Sequence, residues 1–174
     1  MNEYKAFENF AINTAKSAGD IIMSYYGKHI DIKNKTSEID LVTDADKHAE
    51  KNIVQSIKKH FPDHDIITEE SNIDNLNSDF CWVIDPLDGT TNFVHNLPIF
   101  AVSIGLQYKN KTILGVVFNP AYNQCFHAIL NKGAKLNNKP INVSSCKTLS
   151  KSLLVTGFPY IMDQKWHCSF NIFK

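Results

Sequence analysis

The chain has 174 residues, 43% of them hydrophobic and 21% charged, the composition of an ordinary globular domain, which excludes a disordered tract or a fibrous repeat. Eighteen basic residues offset eighteen acidic ones, so no general field draws the protein onto nucleic acid or an anionic membrane. Every basic residue is lysine; without an arginine fork, phosphate chemistry must rest on metal ions, backbone N–H groups or lysine point charges.

Apolar or small residues recur at Phe7, Phe10, Ala11, Ala15, Ala18, Ile21, Ile22 and Tyr25, which predicts a helix over 4–26 ended by Gly27. Residues 29–35 alternate, with Ile30 and Ile32 against Asp31 and Lys33, and read as a short strand entering a polar loop over 34–40. Thr43 and Asp46 form a capping box, after which Ala49, Ile53, Ile57 and Phe61 step along one helical face until Pro62 stops the pattern. A short strand at 65–68, a polar loop at 71–78 and a buried strand at 80–84 follow. Four β-rich runs come next, at 100–108, 112–118, 124–130 and 152–156, separated by Lys109-Asn110-Lys111, Asn119-Pro120 and the turn-rich stretch 131–140. Short connections imply an antiparallel sheet, and two helices followed by a meander predict a single α+β layered domain over 1–174 with the helices on one sheet face.

Cys81, Cys125, Cys146 and Cys168 are widely spaced and contain no C-x-x-C pair, which argues against a zinc ribbon, a redox motif or a disulfide framework and for buried or inert thiols. The seven histidines read as surface or core hydrogen-bonding residues. No apolar leader opens the chain, and its longest nearly apolar run, 97–106, is too short to span a bilayer, so no membrane association and a cytoplasmic location are the expectation. The C-terminal stretch carries Trp166, Phe170, Ile172 and Phe173 without a cap or closing strand and reads as an interrupted sequence.

Chemistry concentrates in Trp82-Val-Ile-Asp85-Pro-Leu-Asp88-Gly-Thr-Thr-Asn-Phe-Val-His95. An apolar strand delivers Asp85 at its end, Pro86 turns the chain, and Asp88 is followed by Gly89-Thr90-Thr91, whose N–H groups would face whatever the aspartates hold if a short helix starts there. Carboxylates beside anion-binding N–H groups describe a metal-bridged phosphate site, and hard oxygen ligands select magnesium or manganese. The same Asp-Pro-x-Asp-Gly is also a good generic turn. Upstream, Glu69-Glu70 ends a second apolar strand; if the two strands are neighbours, Glu69 and Asp85 can converge on one cation. A Gly-x-Ser-x-Gly elbow around Ser103 fails at Ala101, a Walker-type Gly-Lys-Ser/Thr is missing, and His48-Ala49-Glu50 lacks the cysteine partner of a zinc deaminase and fits the polar side of the second helix.

Asp85-Pro-Leu-Asp-Gly-Thr-Thr-Asn-Phe, with His95, Pro98 and Ser103-Ile-Gly-Leu, resembles the signature of the inositol monophosphatase family. Asp40-Leu-Val-Thr-Asp-Ala-Asp46, Ile67-Thr-Glu-Glu-Ser71, Gly115-Val-Val-Phe-Asn-Pro120, the Lys132-Gly-Ala turn and Leu153-Leu-Val-Thr-Gly-Phe-Pro-Tyr160 follow the family's order. The resemblance implies the N-terminal half of an αβαβα sandwich and a magnesium-dependent, lithium-inhibited phosphomonoesterase, most often a homodimer, whose substrate is a small phosphate monoester such as inositol monophosphate. It implies that Glu69, Asp85, Asp88 and the Leu87 carbonyl ligate two or three magnesium ions. Glu69, Leu87, Asp88, Gly89 and Thr90 would surround the substrate, with Gly89 and Thr90 binding its phosphate through N–H groups. Glu70, Asp46 and Thr90 would position or deprotonate the attacking water, although Asp46 could equally serve only its helix cap. Family chains continue past Phe158-Pro-Tyr160 to a Trp-Asp-x-Ala-Gly-like motif that is not matched here, since Trp166 is followed by His167 and Cys168. The chain therefore reads as an N-terminal portion with its second α/β layer missing. Alternatives are a non-catalytic or incomplete fragment, or a relative acting on a nucleotide 3′,5′-bisphosphate or fructose 1,6-bisphosphate.

Overall fold

A computed structural model describes residues 3–27, 32–34, 41–69 and 77–155. The chain divides into two compact units, Met1–Ile141 and Asn142–Lys174.

The first unit opens with helix α1 (Glu3–Tyr25), whose Phe7, Ala11, Ala15, Ala18 and Ile22 are buried at the expected three-and-four spacing. Small residues on that stripe let the helix lie close to its neighbours. A methyl group on Gly19 would come within 2.6 Å of the Phe118 ring, so only glycine permits this approach. Gly27 then breaks the helix in the left-handed region, at φ 75°. A two-stranded antiparallel ribbon follows, β1 (Ile32–Asn34) against β2 (Leu41–Thr43). The expected strand thus falls at 32–34, while its flanks at 29–31 and the loop at 35–40 lie outside the described residues. Helix α2 (Asp44–His60) buries Ala45, Asp46, Ala49, Ile53 and Ile57, with acidic residues in its first turn and basic ones in its last, as the helix dipole favours.

Seven strands form the main sheet: β3 (Asp65–Thr68), β4 (Phe80–Asp88), β5 (Ala101–Tyr108), β6 (Lys111–Asn119), β7 (Gln124–Ile129), β8 (Ala134–Leu136) and β9 (Lys139–Ile141), in that spatial order. All neighbours are antiparallel except β3 and β4, which run parallel. A single-turn helix α3 (Thr90–Val94) separates β4 from β5. Both long helices lie on one sheet face, α1 against β5, β6 and β7, and α2 against β4. That face carries Trp82, Ile84, Val102, Ile104, Leu106, Val116 and Phe118, all buried. The opposite face is more open, with Val83, Val117 and Phe126 each at least 36% exposed.

The structure departs from the sequence expectation in three places. The stretch 131–140 is not merely turn: it holds the β8–β9 hairpin, closed by Asn137 and Asn138 at φ 48° and 66°, a left-handed pair that asparagine tolerates in two-residue hairpins. Residues 152–155 form no strand. They lie in the second unit, where the described elements are limited to a 3-10 turn, Leu149–Lys151, and no strand partner is offered to them; Thr156 lies outside the described residues. Pro86 does not end β4, because the strand continues to Asp88 through an irregularity taken up below. No helix among the described residues is long and apolar enough to cross a membrane.

Candidate functional site

Three features of the β3–β4 region bring the acidic residues together. The first is the parallel register, which ends on Thr68 opposite Ile84 and so makes Glu69 and Asp85 the next residues on adjacent chains. Neighbouring strands run about 4.8 Å apart. Within β3 and β4, Ile66, Thr68, Trp82 and Ile84 point to the helices; one step further on, the alternation carries Glu69 and Asp85 to the other face.

The second feature is a bulge. Asp85 pairs with Ser103 and Asp88 with Ala101, so three steps along β4 match two along β5. In a regular strand, residues three apart point to opposite faces. The extra residue at Pro86-Leu87 restores Asp88 to the same side as Asp85, opposite the helices, in line with Ser103 and Ala101. Proline suits this place because an irregular step spares it the ladder N–H it cannot supply. The Asp85 side chain accepts the Leu87 N–H at 3.2 Å, so the generic turn chemistry is also used here.

The third feature is the Gly89 corner. Gly89 sits at φ 87° as the N-cap of α3, and a Cβ there would meet the Ile99 carbonyl oxygen at 2.9 Å. Thr90 opens α3 and donates its hydroxyl to the Leu87 carbonyl at 2.9 Å, tying the helix back onto the bulge. Asn92 Nδ2 donates to the Ile99 carbonyl at 2.7 Å and Tyr26 Oη to that of Asn96 at 2.7 Å, which fixes the far end of the corner to the chain before β5 and to the turn that follows α1.

Glu69, Asp85, Leu87, Asp88, Gly89 and Thr90 therefore gather at one end of β3 and β4. Glu69 and Asp88 are exposed, and Asp85 is half-buried. Asp46 sits in the first turn of α2, 2% exposed. Strand β2, which leads directly into that turn, packs against α3 and α2. Glu70 lies outside the described residues. The donor set is all oxygen, three carboxylates and one carbonyl, which fits a hard divalent cation and not zinc or copper. Among the described residues no three His, Cys, Asp or Glu side chains already form a metal cage.

One supporting pair escaped the sequence reading. Thr68, 4% exposed, donates its hydroxyl to Glu50 Oε1 at 2.9 Å and so binds α2 to the end of β3 directly before Glu69. Glu50 is thus half-buried against the sheet instead of lying on a merely polar helix side. Its spacing of four from Asp46 was the available signal, since i and i+4 share a helical face. His48 is exposed and shares a 2.8 Å hydrogen bond with the Tyr25 hydroxyl. Cys81 and Cys125 are buried as expected, but Cys146 is exposed; Cys168 lies outside the described residues.

The chain is 45% identical over 160 residues to the inositol-1-monophosphatase of Synechocystis, covering 91% of this chain and 56% of that protein. It is 45% identical over 154 residues to the Nus factor SuhB of Pasteurella multocida, covering 87% and 58%. The solved inositol monophosphatase of Anabaena (Nostoc) superposes with a TM-score of 0.79 at 38% identity, over 91% of this chain and 57% of that one. The chain thus spans a little over half the length of these relatives. A family model described as the inositol monophosphatase family matches residues 3–173. With the motif residues assembled at one strand end of the matching fold, the chain belongs to the inositol monophosphatase family.

Proposed function

We propose that this chain carries the cation- and phosphate-binding part of a magnesium-dependent phosphomonoesterase acting on inositol monophosphate. The observation that carries the reading is the bulge at Pro86-Leu87, which turns Asp85 and Asp88 to the face that Glu69 shares. Glu69, Asp85, Asp88 and the Leu87 carbonyl would hold magnesium. When bound, that ion offsets the charge of a phosphate that the carboxylates alone would repel and lowers the pKa of coordinated water.

The chain's own groups do the rest. The N–H groups of Gly89 and Thr90 take phosphate oxygens, and the left-handed glycine lets the backbone approach without a side chain in the way. Glu70 and Asp46 orient the attacking water and accept its proton, while the Thr90 hydroxyl, anchored on the Leu87 carbonyl, keeps that water in line with the scissile bond. No protein nucleophile is required. The Synechocystis and Anabaena relatives, both named as inositol monophosphatases, support this choice of substrate.

Phosphate release from inositol 1-phosphate, followed as magnesium is titrated, tests the reading with the Asp88→Asn variant as blank. Magnesium-dependent release lost in the variant supports it. Release that needs no divalent cation, or that survives in the variant, sinks it.

A further inference from the structure

The groups that β4 brings to the strand end are held by their own surroundings. Asp85 accepts the Leu87 N–H, the Thr90 hydroxyl is bound to the Leu87 carbonyl, and β4 lies between β3 and β5. Glu69 has less to hold it. It follows β3, a four-residue strand at the edge of the sheet whose one strand neighbour is β4, and the ladder joining the two stops at Thr68 and Ile84. The end of so short an edge strand frays unless something outside the ladder fixes it.

Both ends of β3 have such a fix. At the start, the Asp65 carboxylate accepts the Ser78 N–H at 2.7 Å. At the finish, Thr68 faces the helices, 4% exposed, and donates its hydroxyl to Glu50 Oε1 at 2.9 Å. This second bond crosses from the sheet to α2 and reaches toward both sides of the candidate site. Thr68 directly precedes Glu69 in the chain. Glu50 stands four residues, about 6 Å of helical rise, beyond Asp46 on the same face of α2. A bond between Glu50 and Thr68 therefore sets how far Asp46, on the helix, lies from Glu69, on the strand.

Resting on the cation-binding role given to the strand end above, we propose that Glu50 is a positioning residue of that site. Acting through the Thr68 hydroxyl, it fixes Glu69 beside Asp85 for the cation and holds Asp46 at the matching distance for the attacking water. What the role requires of Glu50 is an acceptor oxygen at this point, which glutamine also supplies. What it requires of Thr68 is a hydroxyl, which serine keeps and valine, of nearly the same shape, lacks. Neither residue has to touch the cation.

The test titrates the whole chain with manganese(II) in place of magnesium and follows the free ion by electron paramagnetic resonance, with Asp88→Asn as the blank. Glu50→Ala and Thr68→Val should each weaken binding about tenfold, while Glu50→Gln and Thr68→Ser stay within about twofold of the parent. The Glu50→Ala/Thr68→Val double variant should bind no more weakly than either single one, because both remove the same bond. Urea unfolding of each variant confirms that it is folded where binding is read; alanine suits a helix and valine a strand, so both substitutions respect the local structure. A merely structural tie would lower the stability of Thr68→Val and leave its affinity unmoved, and that result overturns the proposal. Equal weakening in Glu50→Gln and Glu50→Ala also overturns it, since the carboxylate charge would then be the active feature. So do additive losses in the double variant, which would mean that the two residues act separately. If the parent binds manganese no better than Asp88→Asn, the cation-binding reading fails and the positioning role falls with it. If the parent binds it better than that blank and Thr68→Val equals the parent, the positioning role falls alone.

Discussion

At the β3–β4 edge of the sheet three carboxylates, Glu69, Asp85 and Asp88, share one face and reach solvent, whereas on α1, facing β7, a single carboxylate, Glu8, is sealed between a lysine and a histidine. The first arrangement gathers negative charge, and its local energetics improve when a cation arrives. The second is already compensated by charge-assisted hydrogen bonds, and its removal opens a fault in the core. Acidic residues that do chemistry and acidic residues that hold a fold thus differ here less in type than in what faces them.

Substitutions break this contrast in opposite directions. Asp88→Asn should lower magnesium-dependent phosphate release by about a thousandfold, roughly 4 kcal/mol in the barrier. The same change should leave the melting temperature equal or higher, because it relieves repulsion at the strand end; a clear fall in melting temperature would assign Asp88 a structural role. At the other position, His127→Leu leaves Glu8 buried with Lys5 as its remaining partner and should cost about 3 kcal/mol, measured by urea unfolding. A loss under about 1 kcal/mol would mean that Lys5 alone compensates the carboxylate.

Acid sharpens the comparison further. The folded-state pKa of Glu8 is depressed, so its stabilisation is present above the unfolded-state value of 4.5 and is lost as the pH falls through the lower folded value. The stability gap between the parent and Glu8→Gln should therefore be constant from pH 7 to about pH 5 and shrink below that. A gap that widens in acid would reverse the assigned sign. The smallest effect concerns reactivity. Hydrogen bonding, first by the Ser152 side chain and then by the Thr148 backbone, lowers the pKa of the exposed Cys146, whereas burial raises those of Cys81 and Cys125. Among these three, iodoacetamide at neutral pH should label Cys146 first, as read by mass spectrometry of the intact fold.

Much of the molecule was legible in the chain because local signals agreed with the global arrangement. The alanine and isoleucine stripes of α1 and α2 and the stop at Gly27 each follow from short-range chemistry. The β8–β9 hairpin looks like turn in the sequence because three-residue strands carry too little periodicity beside so many asparagines. The run 152–155 has β propensity, but a strand is made by a partner, and the sequence does not say who that partner is. At the candidate site, residue types were readable and their meeting was not. Asp85 and Asp88 stand three apart, which in a regular strand would separate their faces. That they share one depends on a bulge which Pro86 permits but does not announce. The Glu8–His127 pair spans more than a hundred positions and leaves no local trace at either end.

The single parallel step among the described strands also closes differently from the rest of the sheet. Strands β5 to β9 join through tight hairpins whose ends find one another locally, whereas β3 and β4 run parallel and no hairpin turn joins them. Glu69 and Asp85 meet only when that ladder closes. The face on which like charges crowd is thus closed by the one parallel pairing among the described strands.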